Sequence, residues 1–170
     1  IIHSHLSDNP EFVRRFEEEA ASVAQLRHPN IIQVYDFNHE GGTYYMVMEF
    51  ISGETLQERL RRLSNNGMRL SYTEAARSMV NITEAVDYAH RRNMIHRDIK
   101  PANIMLDLNG QAILMDFGIA KILGGEQHTA TGAVIGTALY MSPEQIRGDR
   151  IDHRSDIYSL GVTFFFMLTG

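Results

Sequence analysis

Residues 94–106, MIHRDIKPANIML, set His96, Arg97, Asp98, Lys100 and Asn103 between apolar flanks, Met94 and Ile95 before and Ile104, Met105 and Leu106 after. Apolar flanks imply burial, and buried charges are costly unless paired or held on a cation. The stretch therefore reads as a loop anchored on a scaffold to do chemistry. An Asp held near a hydroxyl can accept or orient its proton. An Asn five residues later brings a neutral oxygen to a hard cation. The Lys between them can offset developing negative charge. Taken alone, the same residues also fit a polar turn between a helix and a hairpin.

Downstream, QAILMDFG (residues 111–118) puts Asp116 at the end of an apolar run with strand character, and Gly118 lets the chain turn sharply afterwards. A carboxylate at a strand end can bind Mg²⁺, which takes oxygen ligands and shares them with phosphates. The runs NIML and QAILM flank the turn DLNG (residues 107–110), a hairpin pattern that brings the two motifs close in space. Together they supply an acidic base, two cation ligands and a lysine.

The remaining chain reads as a scaffold for this pair. SYTEAARSMVNITEAVDYAHRRN (71–93) is an amphipathic helix, with Ser71 and Glu74 in capping-box spacing. Before it, SGETLQERLRRL (52–63) reads as a Ser-Gly turn into a short helix. IIQVYDF (31–37) and TYYMVMEFI (43–51) are β-rich runs, with NHEGG (38–42) as the connection of a hairpin. DNPEFVRRFEEEAASVAQL (8–26) reads as a helix, capped by Asp8 or Asn9 with Pro10 in its first turn. Pro29 ends it, because the residue before a proline is pushed out of the helical region. From Gly118 to Pro143 periodicity fades, and a long irregular segment is usually functional or disordered. DIYSLGVTFFFML (156–168) begins a last helix, expected as a buried core helix. Its apolar run is too short for a membrane span, and Ser159, Gly161 and Thr163 interrupt it. The order is an α+β layout in two unequal parts joined near Glu49 to Gly53.

Composition bounds the function class. A 44% hydrophobic, 22% charged chain of 170 residues is ordinary for a globular domain or part of one. A net charge of −5 gives no basic field for nucleic acid. With 0 cysteines, disulfides, thiolate zinc sites and a cysteine nucleophile are excluded, and a reducing compartment is a fit. The histidines show no metal-ligand spacing, and His96 itself reads as a packing residue. The chain starts without Met and stops inside an apolar run, so a fragment is expected.

In this order and spacing the chain resembles a eukaryotic-type (Hanks-type) serine/threonine protein kinase of the bacterial branch, over essentially all its residues. HRDIKPAN matches the family's catalytic loop, with Ile99 in place of a leucine; DFG matches its magnesium motif; SPE (142–144) stands where the family has A-P-E. GTALYMSPEQ and RSDIYSLG are similar to the bacterial members. The resemblance implies a bilobal kinase-like α+β fold, incomplete at both ends. Residues 1–50 would be part of the N-lobe, and 51–170 part of the C-lobe.

By position, the resemblance makes Asp98 the catalytic base. It has Lys100 steady the transferring phosphoryl group and Asn103 and Asp116 hold Mg²⁺. Glu19 would be the glutamate that pairs with the nucleotide-anchoring lysine. Backbone groups of Glu49 and Ile51 would meet the adenine of ATP, with Met48 beside the pocket. Asp156 would brace the catalytic loop, the alternative being a helix N-cap. Thr129 and Thr131 would lie in the activation loop, where phosphate on either would be ordered by Arg97. Thr137 would sit near Asp98 and Lys100.

The implied function is transfer of the γ-phosphoryl of Mg-ATP to Ser or Thr hydroxyls of protein substrates, regulated by activation-loop phosphorylation. A homodimer for trans-autophosphorylation, a cytoplasmic location and a parent anchored in the membrane all fit this reading. Neither nucleic acid nor membrane contact by this segment is expected. The glycine-rich loop, the strand with the anchoring lysine and the last C-lobe helices find no counterpart between Ile1 and Gly170, so the fragment alone is expected to be inactive. The alternatives are a pseudokinase scaffold and a small-molecule phosphotransferase.

Overall fold

The structure, a computed structural model, describes residue 14 and residues 21–40, 43–117 and 138–170. Glu19, Gly118, Thr129, Thr131 and Thr137 lie outside the described residues, as does most of the helix expected over residues 8–26. Of that helix, residues 21–24 are described as helical.

Two antiparallel sheets follow one another along the chain. Strands β1 (Val34–Glu40) and β2 (Thr43–Met48) form a hairpin, with an irregular register between Val34 and Asp36. Cross-strand partners His39 and Tyr44 stack with ring centroids 4.3 Å apart. The expected hairpin is present but shifted: its first strand starts at Val34 and runs through Asn38, His39 and Glu40, which the sequence reading put in the connection. Ile31 and Ile32 pair elsewhere. Ile31 bridges Leu114 in parallel, the Ile32 amide donates to the Leu114 carbonyl at 3.0 Å, and the Leu114 amide donates to the Asn30 carbonyl at 2.8 Å.

The second sheet has the order β3 (Gly53–Thr55), β4 (Ile104–Asp107), β5 (Ala112–Leu114). The expected Ser-Gly turn before the first helix is therefore corrected: Gly53 to Thr55 is a strand paired with β4. Glycine is needed there because a Cβ on Gly53 would come within 1.9 Å of the Leu106 carbonyl oxygen. Gly53→Ala is expected to cost about 1–3 kcal/mol through overpacking and loss of strand pairing, read as a lower denaturant midpoint in the full-length protein. The β4–β5 connection is the turn expected at 107–110, closed by the Asp107 carboxylate, which accepts from the amides of Asn109 and Gln111.

Helix α1 (Leu56–Asn65) starts at Thr55, whose hydroxyl accepts from the Glu58 amide while the Glu58 carboxylate reaches back to the Thr55 amide. Helix α2 (Tyr72–His90) is capped by Ser71, which accepts from the Glu74 amide. The return bond of the expected capping box is not made, because Arg59 of α1 takes the Glu74 carboxylate at 3.1 Å. The inward face of α2 carries Ala75, Ile82, Ala85, Val86 and Ala89, at helical spacing.

A short helix α3 (Pro143–Arg147) precedes α4 (His153–Thr169), and α4 packs on α2. The helix expected as a buried core helix is buried along one stripe only. Its inward stripe is Ser155, Asp156, Ser159, Leu160, Thr163 and Met167, while Ile157, Tyr158 and Phe165 are exposed. Small inward residues line much of this stripe, with Leu160 and Met167 buried in the core and Phe164 and Leu168 packed against it. No described helix is long and apolar enough to cross a membrane.

One apolar cluster runs through these elements, from Val23, Leu26, Ile31 and Val34 through Leu56, Ile82, Ile99 and Leu114 to Met167. Burying each such large side chain contributes about 1.5–3 kcal/mol. Ile99 is 0% exposed although it lies between Asp98 and Lys100. The polar loop is thus pinned to the core through its one central apolar residue.

Candidate active site

The chain from Met94 to Lys100 has no regular secondary structure, and a single 3₁₀ turn, Pro101–Asn103, leads it into β4. Side chains and a distant helix hold it in shape. Asn103 donates through Nδ2 to the Asp98 carbonyl at 2.8 Å and to Asp98 Oδ2 at 2.9 Å. Lys100 Nζ lies 2.8 Å from the same oxygen. Asn103 is 8% exposed, and the Asp98 and Lys100 side chains are also mostly buried. Lys100 and Asn103 therefore both engage Asp98. With its amide nitrogen spent on Asp98, Asn103 keeps its Oδ1 as a hard oxygen donor.

His96 ties this loop to the strand end that carries Asp116. Its Nδ1 accepts from the Asp98 amide at 3.2 Å, and its Nε2 lies 2.8 Å from the Met115 carbonyl. A carbonyl only accepts, so Nε2 carries the proton and Nδ1 does not. The ring is 1% exposed and packs on Phe117 with centroids 4.6 Å apart. The expectation that His96 is a packing residue is thus incomplete: it also bridges the two acidic positions. The Met115 amide adds a second tie by donating to the Asn103 carbonyl at 2.9 Å.

Asp116 has φ 58°, a conformation rarely adopted by residues other than glycine. Burial pushes its carboxyl above the ordinary value, the Asp98 charge adds to the rise, and Lys100 opposes it. The His96 ring opposes it too. The Asp98 and Asp116 carboxylates and the neutral Asn103 amide oxygen are oxygen groups of the kind a hard divalent cation takes, and the Lys100 ammonium lies beside them as a counter-charge for anions and not as a ligand.

Arg97 is the strained residue of the loop, with φ 71°. Its amide donates to Asp156 Oδ1 at 2.8 Å, and its carbonyl accepts from Gln145 Nε2 at 2.7 Å. Its Nε is buried without a hydrogen-bond partner among the described residues. Asp156 also accepts from the His96 amide and from His90 Nε2, at 2.8 and 2.7 Å. The N-cap of α4 is Asp152, so Asp156 is inside the helix with its carboxylate turned to the loop. Of its two anticipated roles, the geometry has the brace.

The other expected positions are farther along the chain. The Glu49 amide donates to the Gln33 carbonyl at 2.8 Å, which occupies its N–H and leaves its carbonyl. Ile51 is half-buried between β2 and β3. Met48 is 37% exposed, so it is not a plain core residue, and Phe50 is 88% exposed. Glu144 accepts from the Ser155 hydroxyl at 2.5 Å, and that bond is the main reason its carboxyl sits below the ordinary value. Sequence reasoning gave no role to His90, Gln145 or Ser155; the only local signal among them is the Ser142-to-Gln145 spacing of a capping box, which the structure closes in both directions.

The sequence matches the family model for the protein kinase domain over residues 2–170. It is 44% identical over 174 residues to a probable serine/threonine-protein kinase of Streptomyces coelicolor, covering 99% of this chain and 25% of that protein. It is 43% identical over 170 residues to the serine/threonine-protein kinase PrkC of Bacillus subtilis, covering 100% of this chain and 26% of that one. Among solved structures, the PknI kinase domain of Mycobacterium tuberculosis matches with a TM-score of 0.75 and 28% identity, over 97% of this chain and 59% of that one. The chain thus spans about a quarter of the length of these two curated relatives.

Proposed function

We propose, from the premise that this chain belongs to the protein kinase family, that it carries the catalytic loop of a serine/threonine kinase acting on protein hydroxyls with Mg-ATP. The observation that carries this reading is the meeting of Asp98, Lys100 and Asn103 on one oxygen, beside an Asp116 that feels the Asp98 charge. Lys100 and Asn103 both engage Asp98 Oδ2, so Oδ1 is left to face a substrate hydroxyl and accept or orient its proton. Lys100, held beside Asp98, is placed to offset charge on a transferring phosphoryl group. Asn103 Oδ1 and the Asp116 carboxylate would hold Mg²⁺, and the bound ion would supply charge neutralisation for the phosphates. The carbonyl of Glu49 and the amide of Ile51 would meet the adenine. Residues 1–50 and 51–170 would belong to the two lobes, with the described parts of both joined in one apolar cluster.

The buried Arg97 Nε, without a partner among the described residues, supports the regulatory part of the reading, because phosphate on Thr129 or Thr131 is an anion that would satisfy it. Mass spectrometry of the full-length protein after incubation with Mg-ATP is expected to find phosphate on one of these threonines.

The test of the main reading is a phosphoacceptor assay on the full-length protein. Peptides with Ser, Thr or Tyr acceptors and small alcohols are offered with Mg-ATP, with and without EDTA. Transfer to Ser and Thr peptides that EDTA abolishes is the expected result. No transfer to any acceptor would favour the scaffold reading, and transfer only to small alcohols would favour a small-molecule phosphotransferase. Asp116→Asn is expected to raise the Mg²⁺ concentration needed for half-maximal rate by about 10-fold or more, since it removes one of two anionic groups near the cation.

A further inference from the structure

Arg97, the residue before the proposed base, is held in a left-handed conformation that costs about 1–2 kcal/mol for a side chain of its size. Such a conformation persists only when its surroundings over-determine it. The amide is held from α4 by Asp156, and the carbonyl is held from α3 by Gln145. The second tie has a further property. The same Gln145 side chain accepts, through Oε1, the Ser142 amide at 2.9 Å, and so closes the cap of α3. One rigid amide therefore spans two structures: its oxygen is fixed by the start of α3, and its nitrogen is fixed on the Arg97 carbonyl. The α3 end of this link is itself anchored, because the neighbouring Glu144 takes the Ser155 hydroxyl of α4.

We propose that Gln145 is a positioning residue for Asp98, coupling the α3 cap to the strained carbonyl that precedes the base. The chemistry requires a group that accepts on one side and donates on the other, which only an amide of this length supplies without charge. Glutamate would keep the cap, being equally suited to that position of a capping box. It would lose the donor and set a carboxylate oxygen against a carbonyl. The inference rests on the reading of Asp98 as the base, so the experiment carries Asp98→Asn as a separate arm.

The experiment compares Gln145→Glu and Ser142→Ala in the full-length protein, by kcat, KM for ATP and thermal melting. Gln145→Glu is expected to lower kcat about 10- to 100-fold, as displacement of a catalytic group by a fraction of an ångström does, with KM for ATP nearly unchanged and the melting temperature lowered by no more than in Ser142→Ala. Ser142→Ala removes the cap but leaves the donor on Arg97, and is expected to lower the melting temperature with kcat retained. A loss of kcat confined to the 145 variant, at a similar loss of melting temperature, is what a merely structural Gln145 would not produce. Should Gln145→Glu fail to fold, Gln145→Met, uncharged and of similar length, is read in its place. Full kcat in the folded 145 variant, or equal loss of kcat in both variants, overturns the proposal. Full activity of Asp98→Asn overturns instead the reading of the base on which it rests.

Discussion

Asp98→Asn in the full-length protein lowers kcat by about 10²- to 10⁴-fold, the usual contribution of a positioned acid or base. The size of the effect follows from how the carboxylate is held. Lys100 Nζ and Asn103 Nδ2 are both donors, at 2.8 and 2.9 Å, and both sit on Oδ2. An asparagine at this position must turn its one oxygen toward those two donors. Its NH₂ then takes the place of Oδ1, where the substrate hydroxyl would bring its proton. The variant would keep the packing and present a donor where an acceptor is needed, so the network itself fixes the wrong orientation. Loss of the negative charge also removes one charge partner of Lys100 and the repulsion that helps to raise Asp116. Single-turnover phosphorylation of a Ser or Thr peptide, with ATP affinity measured in parallel, separates the chemical step from binding. A variant that retains more than about a tenth of the wild-type rate would remove Asp98 from the role of base.

What the sequence made legible is what short spacing can carry. Asp98, Lys100 and Asn103 fall within six residues, and the hairpin to Asp116 is marked by DLNG, so their proximity could be read before any coordinates. The inward face of α2 was legible because Ala75, Ile82, Val86 and Ala89 repeat at helical spacing. The missed features depend on partners far along the chain. β3 is three residues long, has no alternation to read, and exists because β4 lies against it. Glu74 fits a capping box perfectly well, but Arg59 competes for its carboxylate. The inward stripe of α4 is built from Ser155, Ser159 and Thr163, residues that ordinary hydropathy places outside. Gln145 could be read as a helix cap and not as a tie to Arg97, since no local pattern records a bond across 48 positions.

Asp156→Ala lowers the stability of the full-length protein by about 3–5 kcal/mol, as expected when a buried charge partner is removed and its donors are left behind. The carboxylate is 1% exposed and serves three donors: the amides of His96 and Arg97 and the His90 ring. The two amides belong to the loop and face α4, and no other acceptor serves them among the described residues. Arg97 also loses one of the two ties that hold its left-handed backbone, so the catalytic rate falls along with stability. Asp156→Asn separates shape from charge. Its single oxygen can serve the Arg97 amide, and His90 can adapt by changing tautomer, but the His96 amide then faces an NH₂ group. The isosteric variant is therefore expected to lose about 1–3 kcal/mol despite unchanged packing. The pH dependence provides an independent reading. Burial alone would raise the Asp156 carboxyl, but the bond from His90, the nearby His96 ring and the amides of Arg97 and His96 together hold it below the ordinary value of 3.8. A carboxyl depressed by folding contributes stability that is present above its unfolded value and lost as pH falls through its folded one. Wild-type stability should thus decline as pH drops below 3.8, and the Asp156→Ala variant should decline less over the same range. Denaturant unfolding followed at several pH values gives both quantities, and parallel curves for the two proteins would show that Asp156 is not the group that holds the loop.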